Sequence, residues 1–292
     1  MTPAIRPLAP RELDAVAALM GETLALPMNA NVLTRDFLLA PGFRYEHLLV
    51  ADNGGELAGF VLAPRHDPLA PEKGWIAAFG VSAAHRRQGI ATALLRRAIA
   101  DMRAEGVAAV DVADVPVRYL LPGVDRQAFP GAFELLSGLG FASREEVASM
   151  GLPLDREFPT APEIRPVELG ELPLVRDFFA GWPPGWWEHM ERSLLQKILG
   201  DAAPAGILCW WEAARPLGVV HYRGNRFGPL AVGDATRGRG IGAALTLAGL
   251  AAIKAAGFGD AYFLVGREEV QPFYKRLGFS VRRRFARMTL SL

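Results

Sequence analysis

The 292-residue chain has one cysteine, Cys209, which excludes an intrachain disulfide and any multi-cysteine zinc site. It has no apolar run of the roughly 18 residues that a membrane-spanning helix requires. It has almost no net charge. Lys and Arg number 32 against 31 Asp and Glu, giving +1, so no global field recruits nucleic acid or an anionic membrane surface. Its histidines, His47, His66, His85, His189 and His221, nowhere stand at metal-ligand spacing, and no metal is expected. The first residues, Met1 to Pro7, lack the apolar core of a signal peptide, so a cytoplasmic location is expected.

What is present is ordinary for a globular protein: 51% hydrophobic and 22% charged residues. At about 150 residues per domain, the length suggests two domains. The first 150 residues carry 14 basic and 17 acidic side chains, the remainder 18 and 14. The mild excess of positive charge in the second half suits a small anionic ligand better than a duplex.

The chain repeats itself. Ile5-Arg6-Pro7 returns as Ile164-Arg165-Pro166, and Ala58-Gly59-Phe60-Val61 as Leu217-Gly218-Val219-Val220, both offset by 159. Val81 to Ala91 matches Val232 to Gly242 at offset 151, and Leu139-Gly140-Phe141 matches Leu277-Gly278-Phe279 at offset 138. The order is kept while the offset shrinks in steps, as in two copies that differ in loop length. Residues 1–153 form the first expected domain and 163–292 the second, joined by a proline-bearing linker over 154–162.

Within each copy the pattern predicts short strands feeding one helix. Leu48 to Ala51, Leu57 to Ala63 and Trp75 to Val81 read as strands, with Gly54-Gly55 turning the first hairpin. Ile90, Leu94, Leu95, Ala98, Ile99 and Met102 recur at helical spacing until Gly106 stops the helix, and Val107 to Val112 is the next strand. The second copy gives strands at Gly206 to Trp211, Leu217 to Tyr222 and Phe227 to Val232, a helix over Ile241 to Ala256, and a strand at Ala261 to Val265. The expected fold class is α/β: a mixed, mostly antiparallel sheet with helices on its faces, built twice in tandem.

The most informative segments are Arg86-Arg87-Gln88-Gly89-Ile90-Ala91 and Arg237-Gly238-Arg239-Gly240-Ile241-Gly242. Each lies between an apolar strand and an amphipathic helix. A helix start carries unpaired N–H groups and the positive end of the dipole, and glycine lets a pyrophosphate approach the backbone. Gly238-x-Gly240-x-x-Ala243, with Asp260 twenty residues past Gly240, also fits a dinucleotide fingerprint. That reading is disfavoured. Five residues separate Val232 from Gly238, the first copy has only one of the glycines, and the preceding strands form hairpins.

These loops, with Leu230-Ala231-Val232 before the second and Phe273-Tyr274-Lys275-Arg276-Leu277-Gly278-Phe279 well after it, resemble the GCN5-related N-acetyltransferases, once per copy. The resemblance implies two tandem acyl-CoA N-acyltransferase domains. It implies acetyl-CoA as acyl donor, and direct attack by a small-molecule or peptide amine. Carried over, Arg237, Gly238, Arg239, Gly240, Ile241 and Gly242 would hold the pyrophosphate. Leu230 and Val232 would pair with the pantetheine arm and polarise the thioester carbonyl. Tyr274 would protonate the departing thiolate. Phe79, Val81, Arg86, Arg87, Gln88, Gly89, Ile90 and Ala91 take the matching cofactor positions in the first copy. There Leu136 stands where Tyr274 does and donates no proton, so chemistry is expected in the second copy, while the first is expected either to bind CoA or to have a degenerate site. The asparagine common ahead of the tyrosine helix is absent.

Other assignments stay open. His221, Asp234, Glu268 and Glu269 are candidate general bases, with His189 beside them, since Arg226 to Val232 holds no carboxylate. Trp182, Trp186 and Trp187 would wall an acceptor pocket or cover the sheet. Arg282-Arg283-Arg284 would reach a CoA phosphate or edge a strand. The 13 extra residues of the first copy, around Asp114 to Ala132 and including Tyr119, read as a long loop overhanging a cleft or the seam between the domains. Cys209, inside a predicted strand, is expected to be packed and inert. A non-catalytic acyl-CoA-binding protein is the alternative function. A tRNA-dependent aminoacyl transferase of similar doubled fold is disfavoured, because both pyrophosphate loops are kept.

Overall fold

A computed structural model describes residues 3–115, 120–183, 185–198 and 203–292, with the side chains of 196–198 left aside. Contacts divide the chain into two compact units: Met1–Glu146 with Phe285–Leu292, and Val147–Arg284.

Unit 1 contains β1 (Ala4–Pro7), α1 (Leu13–Leu24), α2 (Ala30–Leu33), β2 (Leu48–Asn53), β3 (Glu56–Leu62), β4 (Arg65–Asp67), β5 (Ala70–Ile76), β6 (Ala78–Val81), α3 (Ile90–Ala104), β7 (Ala109–Val112) and α4 (Pro130–Gly138). Strands β1, β2, β3 and β6 pair antiparallel in that order. The stretch expected as one strand over Trp75 to Val81 is two. Strand β5 pairs parallel with β7, Ile76 opposite Val112, and after Ala77 the chain changes partner and β6 pairs with β3. One side of α3 (Ile90, Leu94, Leu95, Ala98, Ile99 and Met102) is buried in the core. This is the side that its period of 3.6 residues marks.

Unit 2 contains β9 (Ile164–Pro166), α5 (Leu172–Phe178), α6 (Trp186–Ile198), β10 (Ala205–Glu212), β11 (Arg215–Arg223), β12 (Arg226–Val232), α7 (Ile241–Ala255), β13 (Asp260–Gly266) and α8 (Gln271–Arg276). The order β13–β12–β11–β10–β9 is antiparallel except for the parallel β12–β13 pair. Two apolar layers cover the sheet. Helix α7 buries Ile241, Leu245, Ala248 and Ile253 against Val220 and Phe227. On the other layer, Val175 of α5, Phe179 in the turn just after it and Met190 of α6 pack with Ile207, Cys209, Val219 and Ala231.

Two long strands correct the linear domain boundaries of 1–153 and 163–292. Strand β8 (Ala142–Pro153) leaves unit 1 at Val147 and pairs with β13, Leu152 opposite Ala261. Strand β14 (Ser280–Ser291) leaves unit 2 after Arg284 and pairs with β7, Leu290 opposite Val110. Each copy thus receives its last strand from the other copy's sequence, because a sheet edge is closed by whichever strand meets it with the right register. The expected linker over 154–162 is also no free tether. The Leu154 N–H donates to the Gly259 carbonyl at 2.9 Å, Arg156 donates to the Leu277 carbonyl at 2.9 Å, and Phe158 is buried in the unit 2 core.

An Arg–Glu clamp recurs in both units. Arg6 binds Glu12 through both terminal nitrogens at 2.9 and 2.6 Å, and Arg165 binds Glu171 likewise at 2.9 and 2.6 Å. Each carboxylate also accepts a backbone N–H three residues back, from Ala9 or Glu168. Hydrogen bonding to arginine holds Glu12 and Glu171 down at about 2.

Candidate active site

The two bends fold alike. In unit 2, Val232 ends β12, a short turn of 3-10 helix spans Asp234–Thr236, and Gly238 (φ +81°) and Gly240 (φ +78°) lead into α7. In unit 1, a turn over Ala83–His85 leads through Arg87 (φ +64°) and Gly89 (φ +80°) into α3. Arg87 thus adopts the left-handed conformation that Gly238 adopts freely, a local cost of about 1–2 kcal/mol for a residue with a Cβ. Among the described residues, no acceptor meets the backbone N–H groups of 238–243 or of 87–92. A Cβ built on Gly238, Gly240 or Gly89 would meet nothing within 4 Å. Each bend therefore offers a row of bare donors at the positive end of a 15-residue helix, with open space above it. That environment fits a pyrophosphate.

The side chains leave the bends open. Arg237 pairs with Asp234 at 2.6 Å and Arg239 with Glu212 at 2.8 Å, all exposed. Arg86 donates to the Val81 carbonyl at 3.2 Å, and Gln88 to that of Ala84 at 3.5 Å. Ile241 and Ile90 anchor the helix starts in their cores, while Gly242 and Ala91 are half-buried. A Cβ on Gly242 would stand 3.5 Å from the Val232 side chain.

Beside each bend the sheet splits. Strands β12 and β13 pair at Arg226 and Tyr262, and no further ladder pair joins them. Leu230 and Val232 pair on one side with β11, opposite Val220 and Gly218, and their other edge faces the gap left by β13. In unit 1, Phe79 and Val81 pair with Val61 and Gly59 of β3 in the same way, while β7 follows β5 only as far as Ile76. A strand with one unpaired backbone edge accepts an extended ligand as an added strand.

Tyr274 stands on α8 in an aromatic cluster, with Phe263 at 4.4 Å, Phe273 at 4.9 Å and Phe279 at 5.4 Å between ring centroids. The ring is half-buried, and desolvation holds the phenol above its ordinary range, so it keeps its proton at neutral pH. Leu136, its counterpart in unit 1, is fully buried in the apolar core.

The tryptophans lie on the α5–α6 layer. Trp182 and Trp186 stack at 5.3 Å, Phe178 stacks on Trp182 at 6.1 Å, and Trp187 packs in the same half-buried layer. His189, one turn into α6, meets His221 of β11 with ring centroids 5.3 Å apart and planes at 84°. This pairing has no signature in the sequence, where 32 residues separate the two. The other candidate bases lie apart from it. Glu268 and Glu269 are exposed in a short turn before α8, and Asp234 is held by Arg237.

Several remaining expectations are resolved by their contacts. Asp260, the would-be ribose ligand, accepts from Arg282 at 2.6 Å and Asn225 at 2.8 Å, so it is a structural ion pair, and Arg282 is occupied by it. Of the long insertion in unit 1, Leu121 to Asp125 are buried and Val124 bridges Ala286, so this part fills the unit instead of overhanging a cleft. Tyr119 lies outside the described residues. Cys209 is fully buried, its thiol pushed up to about 12 by desolvation. Among the described residues no group of three or more His, Cys, Asp or Glu is placed to hold a metal ion, and no helix is long and apolar enough to cross a membrane.

The sequence matches the model of the acetyltransferase (GNAT) family at residues 22–118 and again at 172–279, more than half of the chain. The chain belongs to the GNAT family. As a member it is an acyltransferase built from two GNAT repeats. It is 29% identical over 266 residues to a mycothiol acetyltransferase of Saccharopolyspora erythraea, covering 80% of this chain and 82% of the relative. Its fold is similar to a tandem GNAT protein from the clavulanic acid biosynthesis pathway (TM-score 0.73, 19% identity, 99% of this chain and 98% of that one). It is also similar to a GCN5-related N-acetyltransferase from Sphaerobacter thermophilus (TM-score 0.68, 18% identity, 99% and 95%).

Proposed function

We propose that this GNAT protein transfers an acetyl group from acetyl-CoA to a small amine in unit 2, with Tyr274 as proton donor to the departing thiolate. The observation that carries the reading is the unit 2 bend. Its bare amides from Gly238 to Ala243 stand beside a strand whose free edge leads into the split between β12 and β13. In this reading those amides bind the pyrophosphate, and the backbone of Leu230 and Val232 aligns the pantetheine arm and polarises the thioester carbonyl. Tyr274 supplies the proton that the sulfur needs as the carbon–sulfur bond breaks. Trp182, Trp186 and Trp187 wall the acceptor side. The relative that acts on mycothiol chemistry makes mycothiol-related amines the first acceptors to try.

Unit 1 keeps the bend and the split strand but has Leu136 in place of a proton donor, so we assign it CoA binding without turnover. The test is acetyl transfer across an amine panel, followed by free-thiol release, with Tyr274→Phe beside the wild type. Turnover should fall about 100-fold or more while calorimetric affinity for acetyl-CoA stays unchanged. Binding of acetyl-CoA without transfer to any amine would instead favour a non-catalytic acyl-CoA-binding protein.

A further inference from the structure

Strand β12 bends where it leaves its neighbour. Tyr222 pairs with Phe227 and Val220 with Leu230, so two residues of β12, Gly228 and Pro229, stand opposite the single residue His221 of β11. Such a bulge bends its strand and interrupts regular pairing. Before it, Arg226 pairs with Tyr262 of β13, and beyond it no ladder pair joins the two strands among the described residues. Leu230 and Val232, whose free edge would align the pantetheine arm, lie just past it. Gly228 takes φ +98°, and a Cβ built on it would meet nothing within 4 Å, so glycine supplies a backbone conformation there and not space.

His221 holds the bulge. Its Nδ1 donates to the Gly228 carbonyl at 3.1 Å. A carbonyl only accepts, so the proton of the neutral ring sits on Nδ1. The ring is 1% exposed, and its burial pushes it down to about 3, so it is neutral near pH 7. Its Nε2 is buried without a hydrogen-bond partner, which makes the imidazole a costly way to fill this position. The first copy fills it more simply. At the offset of 159 shared by these strands, His221 corresponds to Leu62, which is fully buried in an apolar cluster of unit 1. There the chain turns at Ala77 through a backbone bond, the Ala77 N–H donating to the Leu62 carbonyl at 2.9 Å. Core packing thus does not require an imidazole in unit 2, and the hydrogen bond that it makes goes to the bulge.

We propose that His221 is a positioning residue for acetyl transfer: by donating to the Gly228 carbonyl it fixes the bulge, and so sets the angle at which Leu230 and Val232 diverge from β13 to receive the thioester arm. The inference rests on the acetyl-transfer reading above. Being buried, His221 acts through the strand backbone and exchanges no proton with a reactant. Its effect falls on the pantetheine end of the ligand. The amides from Gly238 to Ala243 belong to the bend and to α7, past the far end of β12, so pyrophosphate binding does not depend on the bulge. Loss of the hydrogen bond therefore separates two things that one ligand joins. The diphosphate stays bound, while the thioester loses its alignment with the attacking amine.

The test uses the full chain and an amine that the wild type acetylates. His221→Leu, which copies unit 1, should lower kcat about 10-fold or more. The inhibition constant of ADP, a diphosphate without a pantetheine arm that competes with acetyl-CoA, should stay within about twofold of the wild type. His221→Asn places an amide N–H where Nδ1 stands and should recover most of the lost rate. Where His221→Leu does not fold, His221→Phe, which keeps a ring without a donor, takes its place. Nitrogen-15 NMR of the wild type should find the His221 proton on Nδ1. Wild-type kcat in the variant without a donor, an equal loss in His221→Asn, or a proton on Nε2 would each overturn the proposal. So would a fall in ADP affinity matching the fall in rate, which marks damage to the whole site. Should the wild type acetylate no amine, the acetyl-transfer reading falls and the role of His221 falls with it. Should the wild type turn over and the variant without a donor keep its kcat, only the role of His221 falls.

Discussion

The two units carry the same bend on different residues. Gly238 and Gly240 lead into α7 at φ +81° and +78°, whereas Arg87 and Gly89 lead into α3 at +64° and +80°. Unit 1 therefore holds a side chain in a left-handed conformation to keep its row of bare amides. Yet the α8 tyrosine of unit 2 is matched in α4 by the fully buried Leu136. On the proposed reading, binding geometry and proton supply are separable in this fold. The first is made by the backbone and survives residue changes, and the second rests on one side chain.

The largest test of the comparison removes Phe285–Leu292. These residues belong to unit 1 by contact and supply the partner of β7 along with the buried Ala286 and Met288. The deletion should unfold unit 1 while leaving amide protection in α7 and β12 of unit 2, as read by hydrogen exchange. Loss of protection in unit 2 first would contradict the strand exchange. Next, Gly240→Val and Gly89→Val each place a β-branched residue at a positive φ and fill the open space above the bend. Each should remove one acetyl-CoA site from the calorimetric stoichiometry, and only Gly240→Val should abolish turnover.

The acid limb of stability compares the two clamps. Glu12 and Glu171 have their folded values lowered to about 2, so the stability they contribute is present above the unfolded carboxylate value of about 4.5. It is lost as pH falls from there through about 2. Glu12→Gln and Glu171→Gln should each lower stability near neutrality, by similar amounts, and flatten the profile in that window, as followed by thermal melts. The smallest effect is Arg87→Gly. It relieves the left-handed strain and raises unfolded-state entropy, which should leave a net gain of about 0.5 kcal/mol or less in unit 1. A loss of stability would show that the Arg87 side chain contributes a contact of its own.

Much of this was legible from residue order. Local periodicity located α3 and α7 to within a residue, and the repeated Ile-Arg-Pro marked the start of each copy. Glu12 and Glu171 share the same offset of 159, so the clamp was readable too. The change of partner at Ala77 was not readable, because an apolar run looks the same whether one neighbour or two pair with it. Nor was the contact of His189 with His221, which depends on how α6 packs on the sheet at β10.

Amino-acid order alone determined that there are two copies, that each bears a glycine-assisted bend at a helix start, and that one copy has a phenol where the other has leucine. These are properties of neighbouring residues, set by backbone conformational preference and hydrophobic period. Only the tertiary structure decided which copy owns each final strand, that the expected linker is anchored on unit 2 through Leu154 and Phe158, and which imidazoles meet. Those outcomes are settled by which surfaces pair and bury each other, and residues far apart in sequence carry no local mark of that choice.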